Sequence, residues 1–187
     1  SAQDCMEIFI GKTVRSEAAR IQAHTGKPLT DAWMAAFYKR RNVRLEAELQ
    51  AIDGALDAVA AVHARLGGRI ACASGADRYK VEMQLQKVGL APYFAGRVFS
   101  GHEMPATKPA PDVYLAAAAA LSVSPQRCLV VEDTVTGVVA GVAAGATVVG
   151  YSPSALGHGT PEALCAAGAV RVIHDMAELP ALLGAMR

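Results

Sequence analysis

Two successive acidic residues, Glu132-Asp133, follow the apolar run Cys128 to Val131 and precede a stretch with glycines at 137, 141 and 145. The apolar run reads as a parallel strand covered on both faces, and the Ala/Val/Gly stretch at helical spacing reads as its crossover helix. In an open α/β sheet, ligands bind in the crevice beyond the carboxyl ends of the strands. Two carboxylates held there can coordinate a hard cation such as Mg²⁺, which takes oxygen ligands and keeps waters and a substrate phosphate around it. The same two acids would also serve as caps of the following helix.

Two further segments carry complementary chemistry. Arg69 to Ala73 is a second short apolar run, ending in Ser74-Gly75 before a helix opened by Asp77. A serine hydroxyl there can donate to a phosphate oxygen, and neighbouring backbone N–H groups can hold another; structural turns use the same residues. In Thr107-Lys108-Pro109-Ala110-Pro111-Asp112, two prolines stiffen the backbone beside a single lysine, and Pro111 suits the start of a helix. A lysine on a rigid loop can be aimed, whereas most loop lysines are simply solvated.

In the order Ser74-Gly75, Lys108-Pro109-Ala110-Pro111-Asp112 and Glu132-Asp133, the chain resembles the haloacid dehalogenase-like phosphohydrolases. It looks like the branch with a helical cap inserted after the first strand, which includes phosphoglycolate phosphatases, β-phosphoglucomutases and 6-phosphogluconate phosphatases. The resemblance implies that Ser74, with the Gly75 backbone, binds the transferring phosphoryl group. It implies that Lys108 neutralises charge on that group and on the nucleophile, and that Glu132 and Asp133 hold Mg²⁺. It further implies a cis Lys108-Pro109 bond. The expected activity is Mg²⁺-dependent hydrolysis of a small phosphate monoester, such as a sugar phosphate or phosphoglycolate. A phosphohexomutase, a metal-free haloacid dehalogenase and a noncatalytic phosphate-binding relative are the alternatives. The dehalogenases lack the acidic pair found at Glu132-Asp133.

One family motif is not found. An Asp-x-Asp at the end of a first strand supplies the nucleophile, which becomes an aspartyl phosphate, and the general acid/base. Asp4 has no apolar strand before it and no second Asp two positions on. Residue 1 therefore reads as the middle of a cap, with roughly 35 residues of strand and helix expected upstream. In the family that first strand is central, between the strands ending at Ser74 and Glu132.

The elements that position these residues follow from pattern. Residues 1–52 are helical, with breaks at Gly11 and Gly26-Lys27-Pro28, and are expected to form a partial cap. Residues 53–187 alternate: helix 55–66, strand 69–73, helix 77–88, strand 97–100, helix 111–121, strand 128–132, helix 135–144 and strand 147–150. After a Gly/Ser/Pro-rich loop come a short helix, a strand at 170–173 and a helix at 176–186. Such alternation predicts an α/β fold, a doubly wound parallel Rossmann-like sheet, with the small all-helical cap beside it. The cap is expected to choose the substrate. Its basic candidates are Lys12, Arg15, Arg40, Arg41 and Arg44, with Lys12, Arg15 and Arg44 singled out. Lys12 falls in a loop that faces substrate in cap members, and Arg44 matches by position a basic cap residue of the mutases. The mutases carry Arg where this chain has Val14. His102 is the histidine expected nearest the site.

Composition narrows the partners. A net charge of +1 and 5% aromatic residues give neither the field nor the stacking surface that nucleic acid requires. The 52% hydrophobic content is dispersed and nowhere forms the ~18 consecutive apolar positions of a membrane span. The cysteines Cys5, Cys72, Cys128 and Cys165 lie far apart without a Cys-x-x-Cys pair, as expected of reduced thiols in a cytoplasmic protein.

Overall fold

The computed structural model describes residues 14–153 and 158–185. Among the described residues two helices come first, α1 (Ala18–Thr25) and α2 (Asp31–Glu48), separated at the expected Gly26-Lys27-Pro28 break. Thr30 caps α2 by accepting the Trp33 N–H at 3.2 Å, the expected use of a hydroxyl at a helix start. From Ala55 onward helices and strands alternate. They are α3 (Ala55–Arg65), β1 (Cys72–Ser74), α4 (Arg78–Lys87), β2 (Val98–Ser100), α5 (Asp112–Ala120) and β3 (Leu129–Glu132). Then follow α6 (Val135–Ala143), β4 (Thr147–Tyr151), α7 (Pro161–Ala166), β5 (Arg171–Ile173) and α8 (Leu179–Ala185).

Every strand pair among the described residues is parallel. β1 pairs with β2, and β3, β4 and β5 form a second ladder in that order. Helices cover both faces, as a doubly wound sheet requires. On one face Val113 and Tyr114 of α5, Val138 and Ala140 of α6, and Leu164 of α7 pack on Val130 and Val148. Ala73 of β1 and Phe99 of β2 join this cluster, so α5 ties the two ladders together. On the other face Val62 of α3 and Leu179 and Leu182 of α8 cover Val149, Tyr151 and Ile173. The Ala116 to Ala120 run is helical, and Ala117 and Ala118 are buried, since small side chains let α5 approach its neighbours closely.

The strand expected at 69–73 begins three residues later, at Cys72. Gly67 and Gly68 both have positive φ, 57° and 77°, so the chain is still turning after α3. Ile70 bonds back to Gly68, and pairing with β2 starts only when Cys72 N–H reaches Arg97 O at 2.9 Å. The terminal helix expected from 176 opens as a 3₁₀ turn, Met176–Glu178, before α8. Both differences come from tertiary and capping contacts that periodicity does not carry. No helix among the described residues is long and apolar enough to cross a membrane.

Candidate active site

The carboxyl ends of β1 and β3 open into a cleft of about 800 Å³, also lined by Phe37, Tyr38 and Arg41 of α2. Ser74, Gly75, Lys108, Glu132 and Asp133 all line it. Ser74 is the last residue of β1, and its Oγ accepts the Ala76 N–H at 3.1 Å, which holds the hydroxyl at the strand tip. Ser100, fully buried at the end of β2, donates to Ala76 O at 2.6 Å and fixes the same turn from the adjacent strand.

Lys108 sits before a cis peptide to Pro109. Its ammonium bridges the two ladders, donating to Ala73 O of β1 at 3.2 Å and to Glu132 Oε1 of β3 at 2.5 Å. Both side chains are nearly buried, 10% and 9% exposed, so the pair is poorly screened. Lys108 also lies 4.6 Å from the centre of the Tyr114 ring, in cation–π range. The Tyr114 hydroxyl donates to the same Glu132 Oε1 at 2.5 Å. Burial, followed by the Glu132 charge, pushes the Tyr114 phenol far above its usual range, which keeps it a donor.

The two acids of β3 therefore do different things. Glu132 Oε1 is taken by Lys108 and Tyr114, and Oε2 accepts the Thr134 hydroxyl at 3.1 Å. The cap of α6 is Thr134, whose side chain accepts the Gly137 N–H at 3.1 Å, and neither acid serves as that cap. Asp133 keeps a side chain 42% exposed to the cleft, with His158 Nε2 at 3.8 Å. Burial and the adjacent Glu132 charge push the Asp133 carboxyl above its usual range, against the weaker pull of His158 and Lys108.

Among the described residues no three His, Cys, Asp or Glu side chains gather as a ready metal cage. The oxygen donors present still fit Mg²⁺, which is commonly held by one or two carboxylates while waters and substrate phosphate fill its other positions. A cation against Asp133 would relieve the strain of two neighbouring carboxylates at one strand end.

The basic residues expected to face substrate are placed unevenly. Lys12 lies outside the described residues. Arg15 lines a neighbouring cavity of about 430 Å³ and pairs with Asp31 at 3.3 Å. Arg44 pairs with Glu48 at 3.0 Å and lines neither cavity, whereas Arg41, one turn earlier on α2, lines the main cleft. His102 lines both cavities. Sequence reasoning missed Tyr114 and Lys80. Tyr114 was legible as a polar-tipped aromatic following a helix start in an otherwise alanine-rich segment, and Lys80 as a cation one turn into the helix after Ser74-Gly75. Removing only the Tyr114 hydroxyl, Tyr114→Phe, is expected to cost about 2 kcal/mol, since a bond to a buried charge is lost without a cavity. Urea titration of the two proteins reads this directly, and equal midpoints would show that the hydroxyl holds nothing.

The comparisons with known proteins agree with this fold. A conserved haloacid dehalogenase-like protein of unknown function from Agrobacterium tumefaciens str. C58 superposes with a TM-score of 0.80 and 34% identity, over 100% of this chain and 83% of that one. A HAD family hydrolase from Deinococcus radiodurans R1, solved with bound phosphate and sodium, gives 0.76 and 29% identity over 99% and 81%. The 6-phosphogluconate phosphatase of Escherichia coli K12 is 31% identical over 112 residues, 59% of this chain and 49% of that protein. The matched stretch spans less than two thirds of the length of the curated relatives, from 7% to 62%. The family model for haloacid dehalogenase-like hydrolases matches residues 2–145, and the chain belongs to that family.

Proposed function

We propose that the protein is a Mg²⁺-dependent phosphatase of small phosphate monoesters, with Ser74, Gly75 and Lys108 on the phosphate and Asp133 on the metal. The observation that carries this reading is the Lys108 ammonium, fixed at 2.5 Å by Glu132 in the cleft that Ser74 and Asp133 also line. A buried cation that cannot swing away is aimed at charge arriving in the cleft, and phosphoryl transfer is catalysed chiefly by positioning and charge neutralisation. Ser74 Oγ and the Gly75 backbone N–H would orient the phosphate oxygens. Glu132 acts through Lys108 and Tyr114, holding the ammonium in place. Bound Mg²⁺ would supply further positive charge to the phosphate, with Asp133 as its protein ligand and Glu132 supporting it directly or through water. Helices α1 and α2 form the cap, and residues from Asp53 onward form the core. The free thiols of Cys72, Cys128 and Cys165 support a reducing compartment such as the cytoplasm.

The full-length protein, screened for phosphate release from sugar phosphates and phosphoglycolate with and without Mg²⁺, tests this reading. Turnover that needs the metal is expected. Asp133→Asn should weaken Mg²⁺ binding about tenfold or more in calorimetry, because it removes one charged ligand from a site with few. Equal Mg²⁺ affinity in the two proteins would remove Asp133 from the metal.

A further inference from the structure

The cleft holds a second charged group besides the one around Lys108. Arg41 of α2 and Lys80 of α4 both line it, with Asp77 between them at the start of α4. Arg41 is 19% exposed, and its guanidinium lies 4.7 Å above the Tyr38 ring. Its Nε and Nη2 bond to Asn42 Oδ1 at 2.9 and 2.7 Å, and Nη2 also reaches Asp77 Oδ2 at 3.0 Å. These contacts fix the guanidinium plane. Among the described residues, Nη1 of Arg41 and Nζ of Lys80 make no hydrogen bond.

The charge count is uneven. Asp77 is a single carboxylate against two cations, and one of its oxygens already accepts the Lys80 backbone N–H at 3.0 Å. Burial and then the Arg41 charge push the Lys80 ammonium below its usual range, with Asp77 compensating only in part. Glu17, which also lines the cleft, is paired with Arg20 at 3.3 Å. A half-buried ammonium beside a guanidinium, with donors left over, is stabilised by one more negative charge. The groups that act on Lys80 are Arg41 and Asp77, while those that act on Asp133 are Glu132, His158 and Lys108. Arg41 pairs with Asp77 and Lys108 with Glu132, and among the described residues no ion pair or hydrogen bond joins one group to the other. A cleft of about 800 Å³ accepts a ligand much larger than one phosphate.

We infer that Arg41 and Lys80 form a second anion subsite, so that the substrate is a phosphate monoester bearing a further acidic group, a carboxylate or a second phosphate, away from the transferred one. This rests on the phosphatase reading above. Because Arg41 comes from α2 and Lys80 from α4, such a substrate would add to the Arg41–Asp77 pair that already joins the two helices. A neutral sugar phosphate would leave the pair unanswered.

The test compares kcat/KM of the full-length protein for three probes: glucose 6-phosphate, 6-phosphogluconate and fructose 1,6-bisphosphate. The wild type is expected to prefer one or both of the doubly acidic probes over glucose 6-phosphate by about tenfold or more, as one charge-assisted contact pair allows. Preference for the gluconate identifies a carboxylate, and preference for the bisphosphate a phosphate. Lys80→Met should reduce that preference ratio about tenfold, chiefly through KM, and Lys80→Arg should restore most of it. A wild type that favours glucose 6-phosphate, or a ratio untouched by Lys80→Met in a protein with unchanged melting temperature, overturns the subsite while leaving the phosphatase intact. Failure of all three probes to release phosphate with Mg²⁺ would instead sink the phosphatase reading beneath it.

Discussion

Lys108→Met in the full-length protein is expected to lower phosphate release by about 10²–10³-fold and to destabilise the fold by about 3 kcal/mol. Both effects come from one ammonium. On the chemical side it is the fixed positive charge in the cleft beside Ser74, and methionine of similar length replaces it with an apolar tip. On the structural side its removal leaves Glu132, 9% exposed, with a buried negative charge answered only by Tyr114 and Thr134. Breaking a buried pair from one side costs more than the pair itself contributes, because the partner stays desolvated. Ala73 O of β1 loses its bridge to the second ladder at the same time. Phosphate release measured well below the melting temperature separates the two effects. Turnover within about threefold of wild type would show that the lysine does not act on the transition state.

Gly137→Ala should also be damaging, against the usual direction for such a change. In a helix interior, glycine to alanine ordinarily stabilises by about 0.5–1 kcal/mol. At Gly137 of α6, however, an added Cβ would overlap the Glu132 carboxylate. That carboxylate has little freedom to swing away, since Lys108, Tyr114 and Thr134 hold both of its oxygens. Overpacking of this kind costs about 1–3 kcal/mol, enough to reverse the helix-propensity gain. Displacing Glu132 also releases Lys108, so turnover should fall with stability. A denaturant midpoint equal to or above that of wild type would show that the carboxylate has room to move. Alanine at Val139, exposed on the same helix, serves as the control.

The glycine constraint illustrates how the sequence informs and where it stops. The glycine spacing after Glu132-Asp133 was legible as a crossover helix, but the reason for Gly137 in particular lies in a side chain from the preceding strand end. The same holds for Lys108. Its proline-stiffened loop marked it as a lysine that could be aimed, while its partner Glu132 lies 24 residues further on, and Tyr114, which shares that carboxylate, lies 18 residues before Glu132. No local pattern couples those positions. On α2 the distinction between Arg41 and Arg44 is finer still. They are three residues apart, yet one lines the cleft and the other pairs with Glu48 beyond it. The only fully buried residue of α2 is Met34, so the hydrophobic pattern of that helix scarcely marks which side faces α4.

By itself, the sequence determined the order of helices and strands, the parallel α/β class, and the three segments ending in Ser74, Lys108 and Glu132-Asp133 that belong at the carboxyl edge. These follow from short-range rules, namely side-chain period, the backbone limits of glycine and proline, and the tendency of parallel strands to be apolar throughout. Only the tertiary structure decided that Glu132 clamps Lys108 while Asp133 faces the cleft, that Tyr114 completes the clamp, and that Arg41 and Lys80 line the same cleft. Those arrangements depend on which helix face packs against which strand end, and that is set by long-range burial and charge pairing between residues that the chain order keeps apart.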